Sequence, residues 1–336
     1  MRRPQSRPWP PTTNAPCVLA CHRPSRPDQR VRHSEPSSES RVIGVDLGGT
    51  KILTGIVARD GTVERRRETT TPTESQDALL AGLDAAVEAL LDDSVVGLGF
   101  GVPSRLDQKT GRVEGSVNIP LEGLDFRARM SERFSRPVGI ENDANAATYG
   151  EFHSGAGRDV STMVMLTLGT GCGGGVVIDG KLYRGWAEFG HMVIEYDGIP
   201  CQGSCTGRGH LEPYVTGTAA TKLAREAFGP AADAHRLIRL ADEGDQRARE
   251  ILDGMGRRLG AGIGSLVNIF DPELVVIGGG FAAAWDFLVE PAREVMEREV
   301  LAPAGGRVRI ARAELGTAAG LIGAGLVAFD AADAIV

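Results

Sequence analysis

The strongest constraint on this chain is a plan that runs through it twice. Val42-Ile43-Gly44-Val45-Asp46 is an apolar run that opens into Leu47-Gly48-Gly49-Thr50-Lys51 and returns at once as a second strand, Ile52 to Val57. After Thr162 the plan restarts: Met163 to Leu168, then Gly169-Thr170-Gly171-Cys172-Gly173-Gly174-Gly175, then Val176-Val177-Ile178. In each half a turn and a third strand follow (Val63 to Thr69; Lys181 to Tyr183). Helical stripes come next, then a buried strand (Val95 to Phe100; Leu274 to Ile277). Short apolar runs punctuated by glycine predict strands, and their mixture with helical periods predicts an α/β fold. A duplicated plan of this size is not a solenoid repeat. It predicts two α/β lobes facing a cleft. The smaller lobe is expected over 41–141 with a closing helix at about 313–332, and the larger over 142–312.

Helices are expected near 125–134, at about Thr218–Phe228 and Asp245–Phe270, and in the Gly/Ala-rich stretch Thr317–Phe329. Thr73 and Gln76 have capping-box spacing ahead of the stripe Leu79, Leu80, Leu83, Val87, Leu90 and Leu91. Between the halves lies Glu141-Asn142-Asp143-Ala144-Asn145-Ala146-Ala147, after the apolar Val138-Gly139-Ile140 and before a run of helix formers. A strand feeding a helix puts Asn142 and Asp143 at the carboxyl end of a strand, where open α/β sheets place ligands. Asp143 there either caps the helix or faces outward as a carboxylate base for a bound hydroxyl. For an isolated aspartate the cap is the commoner outcome; the glycine loops on both sides favour the base.

Each glycine loop leaves a strand and re-enters a strand. A dinucleotide fingerprint would run into a helix, and a Walker loop needs Gly-Lys-Ser/Thr; neither pattern is present in that setting. Taken singly, such a loop is a tight β-turn. As an equivalent pair, their backbone N–H groups suit phosphate oxygens. Lys51 and Thr50 add a cation and a hydroxyl, and Asp46 is positioned to hold Mg²⁺ through water.

A second constellation is His191, nine residues, Cys201, three residues, Cys205, four residues, His210. Two thiols and two imidazoles at this density suit tetrahedral zinc. The glycine-rich stretch between them has little core of its own, which a metal would replace. The plainer reading is two free loop thiols and an incidental histidine. Glu188 and Glu212 flank the set and suit several sugar hydroxyls, although surface glutamates are usually only solvated.

The 336 residues are 42% hydrophobic and 24% charged, the make-up of a soluble globular protein, and no apolar run has the length of a membrane span. Residues 1–40 hold seven Arg and three acids, a charge of +4, so the remainder carries −11 of the net −7. That excludes nucleic acid as the expected partner of the folded part. Five Cys without a regular framework suit a reducing compartment, so a cytoplasmic location is expected. Residues 1–40 also hold eight of the 18 Pro and are expected to be disordered. The prolines argue against an amphipathic transit helix, and an upstream start codon or a solvated tail is the expected explanation.

Asp46-Leu-Gly-Gly-Thr-Lys51, Glu141-Asn-Asp-Ala-Asn-Ala146, Leu168-Gly-Thr-Gly171, Glu188-Phe-Gly-His191 and the segment Cys201 to Glu212 together resemble the ROK family of bacterial sugar kinases and repressors. The resemblance runs in order over about residues 41–330, and glucokinases that use ATP are its nearest branch. It implies the two-lobed actin/hexokinase-like (ribonuclease H-like) ATPase fold with a zinc knuckle at 191–210. Asp143 then resembles the base for the sugar 6-hydroxyl. Asn142, Glu188, His191, Glu212 and, more loosely, Asn118 resemble sugar contacts. Gly48 to Lys51 and Gly169 to Gly171 resemble the phosphate loops, and Gly278, Gly279 and Gly280 the adenosine loop. His191 would serve both zinc and sugar, and the zinc would be structural.

The family's usual knuckle is Cys-x-Cys followed by Gly-Cys-Leu-Glu. Here it is Cys201-x-x-x-Cys205 and Gly209-His210-Leu211-Glu212, and Ser104 stands where glycine is common. The resemblance also implies ATP and Mg²⁺ as cofactors and a homodimer or homotetramer. Kinases for fructose, mannose, N-acetylmannosamine and N-acetylglucosamine share these motifs, as do sugar-sensing repressors. A repressor would need a DNA-binding segment for which residues 1–40 are too short and too rich in proline. A polyphosphate donor is the third alternative, and the knuckle argues against it.

Overall fold

The computed structural model describes residues 40–116 and 118–335. The expected disorder of the tail, and Cys17, Cys21 and His22 within it, lie outside the described residues.

The first half begins with β1 (Arg41–Leu47), β2 (Lys51–Ala58) and β3 (Val63–Thr70), an antiparallel meander. Helix α1 (Gln76–Glu88) then crosses to β4 (Val95–Val102). A small hairpin, β5 (Ser104–Asp107) and β6 (Arg112–Ser116), precedes α2 (Phe126–Phe134) and β7 (Val138–Asn142). Next come α3 (Asp143–Ser154), β8 (Met163–Leu168), β9 (Cys172–Ile178) and the short β10 (Lys181–Leu182). Helices α4 (Glu212–Val215), α5 (Gly217–Phe228), α6 (Ala234–Asp242) and α7 (Gln246–Phe270) lead to β11 (Leu274–Gly278). The chain closes with α8 (Trp285–Glu299), β12 (Arg309–Arg312) and α9 (Ala319–Asp333).

The duplication read from the sequence reappears as topology. One sheet runs β3-β2-β1-β4-β7 and the other β10-β9-β8-β11-β12. Counted from its own first strand, each sheet has the order third, second, first, fourth, fifth. In both, the second strand is antiparallel to the first, and the fourth and fifth run parallel to it. Parallel strands must be covered on both faces. Around the first sheet the cover includes α1 and α2, with Phe100 and Phe126 packed edge to face at 5.1 Å. Around the second it is α5 to α8, whose Leu237, Leu252, Leu259 and Ile263 are fully buried.

Helix α9 explains the Gly/Ala-rich stretch. Every residue from Ala319 to Phe329 is buried, so this helix is apolar all round, as a fully enclosed helix must be. Its glycines set the approach of its neighbours. A Cβ at Gly323 would stand 1.6 Å from the Ala146 carbonyl oxygen on α3, so the two helices touch backbone to backbone. Alanine in a helix interior gains about 1 kcal/mol over glycine, but overpacking against backbone costs roughly 1–3 kcal/mol or more. The clash wins. Gly323→Ala is expected to lower the thermal midpoint, and an unchanged or raised midpoint in a melting experiment would contradict this crossing.

Two local expectations need correction. The capping box of Thr73 and Gln76 does not form: Ser75 is the N-cap, its hydroxyl accepting the Ala78 N–H at 3.1 Å, and Gln76 accepts the Glu122 N–H instead. Helix α6 was not foreseen, because its nine residues give a stripe of only two buried positions, Leu237 and Ala241.

Candidate active site

The turn from β7 into α3 carries the site. Asn142 is the N-cap, its side-chain oxygen accepting the N–H groups of Ala144 at 2.9 Å and Asn145 at 3.2 Å. The capping duty that would have occupied Asp143 therefore falls mainly to its neighbour. Asp143 accepts the Ala144 N–H through Oδ1 at 2.9 Å and lines two cavities at once.

Three cavities lie in a row. The smallest, about 140 Å³, is polar and bounded by Ser104, Gln108, Asn142, Asp143, Arg184 and Glu188, among others. The middle one, about 470 Å³, has Asp46, Asp143, Thr167, Gly278, Gly279, Gly280 and Arg312 in its walls. The largest, about 830 Å³, is bounded by Gly169, Thr170, Thr218, Lys222, Gly280 and Phe281. Asp143 and Ala144 are common to the first two, and Gly280 to the last two. A small polar chamber thus meets an elongated one at a carboxylate.

Burial raises the pKa of Asp143, and the charge of Glu188 adds to it, while the Ala144 N–H pulls the other way. Asp46 is raised to about 6, first by burial and then by the charge of Asp143, with Lys51 and Arg66 opposing. A carboxyl whose folded pKa exceeds its unfolded one destabilises the fold once it ionises. The cost is absent below pH 4, grows through pH 4–6 and stays above that. From 3.8 to about 6 it amounts to at most about 3 kcal/mol. Asp46→Asn is therefore expected to melt later than the native chain at pH 7 without added Mg²⁺, and to show no gain at pH 4. A gain of equal size at both pH values would reject this origin.

Other sequence-predicted residues are placed as follows. Asn142, Asp143 and Glu188 share the small cavity. Gly169 and Thr170 line the largest; Gly169 N–H donates to Gly171 O at 2.9 Å, and Thr170 O accepts from the Thr218 hydroxyl at 2.8 Å. Gly278, Gly279 and Gly280, the expected adenosine loop, line the middle cavity. The first glycine loop is a closed turn, Gly48 N–H donating to Lys51 O at 2.9 Å, and none of Gly48, Gly49, Thr50 or Lys51 borders the three cavities.

Lys51, expected as a phosphate cation, is held by an ion pair on the sheet. Its ammonium pairs with Glu68 on β3 at 3.1 Å, because the register pairs Lys51 with Thr70 and makes Glu68 its same-face diagonal neighbour. Glu212 does not line the small cavity. Its carboxylate accepts the Cys172 N–H at 2.8 Å and braces the second glycine loop. Asn118 is exposed beside Gly49, outside the row of cavities. Ser104, the departure from the family pattern, does line the small cavity, its hydroxyl paired with that of Ser116. Gln108, Arg184 and Trp186 also line it, and no motif marked them.

His191, Cys201, Cys205 and His210 come together, each offering one donor atom within 4.8 Å of the others. His191 Nδ1 and His210 Nδ1 are 3.2 Å apart. Cys201 Sγ lies 3.8 Å from His191 Nδ1, and Cys205 Sγ 3.6 Å from His210 Nδ1. A tetrahedron with ordinary zinc bond lengths has edges of about 3.3 Å between two nitrogens and about 3.6 Å between nitrogen and sulfur. These three separations match those edges. The Gly207 N–H also points at Cys205 Sγ at 3.4 Å, an outer contact that suits a thiolate. His191 does not line the small cavity; it ends the short turn Phe189–His191 that follows Glu188.

Two like-ordered sheets, a glycine loop between the first two strands of each, and an acid at a cavity junction make a two-lobed α/β scaffold with a carboxylate poised between a polar chamber and a glycine-lined one. The sequence profile of the ROK family matches residues 42–331. A protein of Streptomyces coelicolor named glucokinase is 32% identical over 308 residues, covering 84% of this chain and 95% of its own. An N-acetyl-D-glucosamine kinase of Citrobacter koseri is 32% identical over 296 residues, covering 84% and 97%. Among solved structures, a ROK hexokinase from Thermus thermophilus aligns with a TM-score of 0.76 at 34% identity, over 86% of this chain and 98% of its own. A ROK family glucokinase from Streptomyces griseus, in complex with glucose and AMPPNP, aligns with a TM-score of 0.74 at 31% identity, over 87% and 100%. The class is that of a sugar kinase. The chain belongs to the ROK family.

Proposed function

We propose that this chain transfers the terminal phosphoryl group of ATP to the 6-hydroxyl of glucose, with Asp143 as general base. The observation that carries the proposal is the position of Asp143 in the wall common to the small polar cavity and the middle one. A hexose in the small cavity would meet Asn142 and Glu188 and bring one hydroxyl to Asp143. Adenosine would occupy the largest cavity, beside Gly280 and Phe281, with its phosphates running past Gly169 and Thr170 toward the middle one. Asp143 takes the hydroxyl proton as the oxygen attacks in line, and its raised pKa makes it a better base than an ordinary carboxylate. Positioning supplies most of the remaining rate. Asp46 would hold Mg²⁺, which supplies neutralisation of phosphate charge when bound. Closure of the lobe 41–141 with 313–332 on the lobe 142–312 would exclude water as a competing acceptor.

The four-donor cluster is assigned to structural Zn²⁺, which would hold the segment from Glu188 to His210 in shape beside the sugar. The cysteine usage supports a cytoplasmic location. A sugar panel with ATP-Mg²⁺, followed by ADP release, tests the reading, and glucose is expected to give the highest kcat/KM. Preference for an N-acetylhexosamine would select the second reading, which the Citrobacter koseri relative supports. Turnover with polyphosphate and none with ATP would overturn the donor assignment.

A further inference from the structure

We propose that Arg184 is a positioning residue that ties the sugar-side loop to the turn carrying Asp143, and that sugar affinity depends on this tie. The proposal rests on the kinase reading above.

Arg184 lies just past β10, on the segment that leads from the second sheet to Glu188. Its guanidinium spans two acids from distant parts of the chain, Glu141 and Asp330. Nε is 3.5 Å from Glu141 Oε2, at the end of β7, and a terminal nitrogen is 3.0 Å from Asp330 Oδ2 on α9. Asp330 is held in turn by the Tyr149 hydroxyl of α3 at 3.3 Å. One side chain therefore clamps the loop to the strand, and to the helix pair, on which Asp143 is mounted.

Glu141 makes this clamp more than a surface ion pair. It is 0% exposed and stands two residues before Asp143. Its Oε1 accepts three hydrogen bonds: from the Asn142 N–H at 3.0 Å, the Asn145 amide at 3.1 Å and the Gln108 amide at 2.7 Å. Its Oε2 is buried without any hydrogen bond, so Arg184 is the cation left to satisfy it. A buried carboxylate that loses its ion-pair partner either repacks or takes up a proton. Both would disturb the turn that aims Asn142 and Asp143.

The other end of the clamp faces the sugar. Arg184, Gly185, Trp186, Ala187 and Glu188 line the small cavity, and Trp186 is 70% exposed at its mouth. None of residues 184–188 lines the middle or largest cavity. Releasing Arg184 should therefore loosen the acceptor wall and leave the donor site alone.

The test is steady-state kinetics of the full chain, with sugar and ATP varied separately. Arg184→Ala is expected to raise the sugar KM about tenfold or more and to lower kcat, since small misplacements at a reacting centre cost up to about 10²-fold. The ATP KM should change by less than about twofold. A merely structural role would lower the active fraction and shift neither KM. Arg184→Lys, which keeps the charge on a smaller head, should fall between the two, and it carries the test should the alanine variant not fold. In Arg184→Ala combined with Glu141→Gln, the orphaned charge is gone, and the sugar KM should recover relative to Arg184→Ala alone. An unchanged sugar KM, an equal rise in both KM values, or losses that simply multiply in the double variant would each overturn the clamp. If the unmodified chain phosphorylates no sugar in the panel, the kinase reading fails first and the clamp falls with it.

Discussion

Asp143→Asn is expected to fold, to bind glucose and to lose turnover by about 10²–10⁴-fold, the usual contribution of a positioned general base. The side chain lies at the junction of two cavities, and its neighbour Asn142 provides the helix cap, so replacing it should leave α3 intact. Stability should rise, if it changes at all. Burial raises the pKa of Asp143, so its ionised form costs stability above that raised pKa, and a neutral amide removes the cost. The same shift places the acid limb of kcat/KM for the native chain above the ordinary carboxylate range. Three measurements check this: ADP release, calorimetric titration with glucose, and a thermal melt. Near-normal turnover in Asp143→Asn would reject the base, and lost glucose binding would mean that Asp143 is chiefly a sugar contact.

Removing the metal from the proposed knuckle is the second large effect. The segment 192–210 is tied by turns and isolated bridges and forms no helix or sheet: Val193 bridges His210, Pro200 bridges Arg208, and the N–H groups of Ile194, Cys201 and Gly209 donate to the carbonyls of Gly209, Gly207 and Ile199 at 2.8–2.9 Å. Val193, Tyr196 and Ile199 in it are exposed, so it buries little apolar surface by which to hold itself together. A structural zinc typically supplies about 10 kcal/mol or more to such a segment. Purified protein is expected to carry one zinc per chain by elemental analysis. Cys201→Ser or exhaustive chelation should lower the thermal midpoint and raise the sugar KM at least tenfold, through Glu188 and the turn that ends in His191. The ATP KM should move little. His210→Cys, which restores the thiol usual in the family, should keep the metal. A chain that carries no zinc, with Cys201→Ser kinetically normal, would leave the cluster without a metal role.

Much of the fold was legible because its signals are local. The two strand–glycine loop–strand units announce themselves within about twenty residues each, and the two sheets built on them share one strand order. The cysteines and histidines are equally local, and the turns between them bring four donors to one point. The turn at Asn142 and Asp143 needed only a strand followed by a helix. Capping detail was less secure, since Thr73, Ser75 and Gln76 all suit a helix start and only the chain path chose Ser75.

What the sequence by itself determined is the chemistry on offer: a carboxylate at a strand end, paired glycine loops and a four-donor knuckle. What tertiary structure decided is where each group points. Lys51 was taken by Glu68 through strand register, and Glu212 by a backbone N–H forty residues away. Gln108 and Arg184 reach the site through partners 33 and 146 residues distant, Glu141 and Asp330. Spacing along a chain reports only what one turn or one strand can bring together. Contacts between segments depend on how whole sheets and helices pack, which no short run of residues encodes.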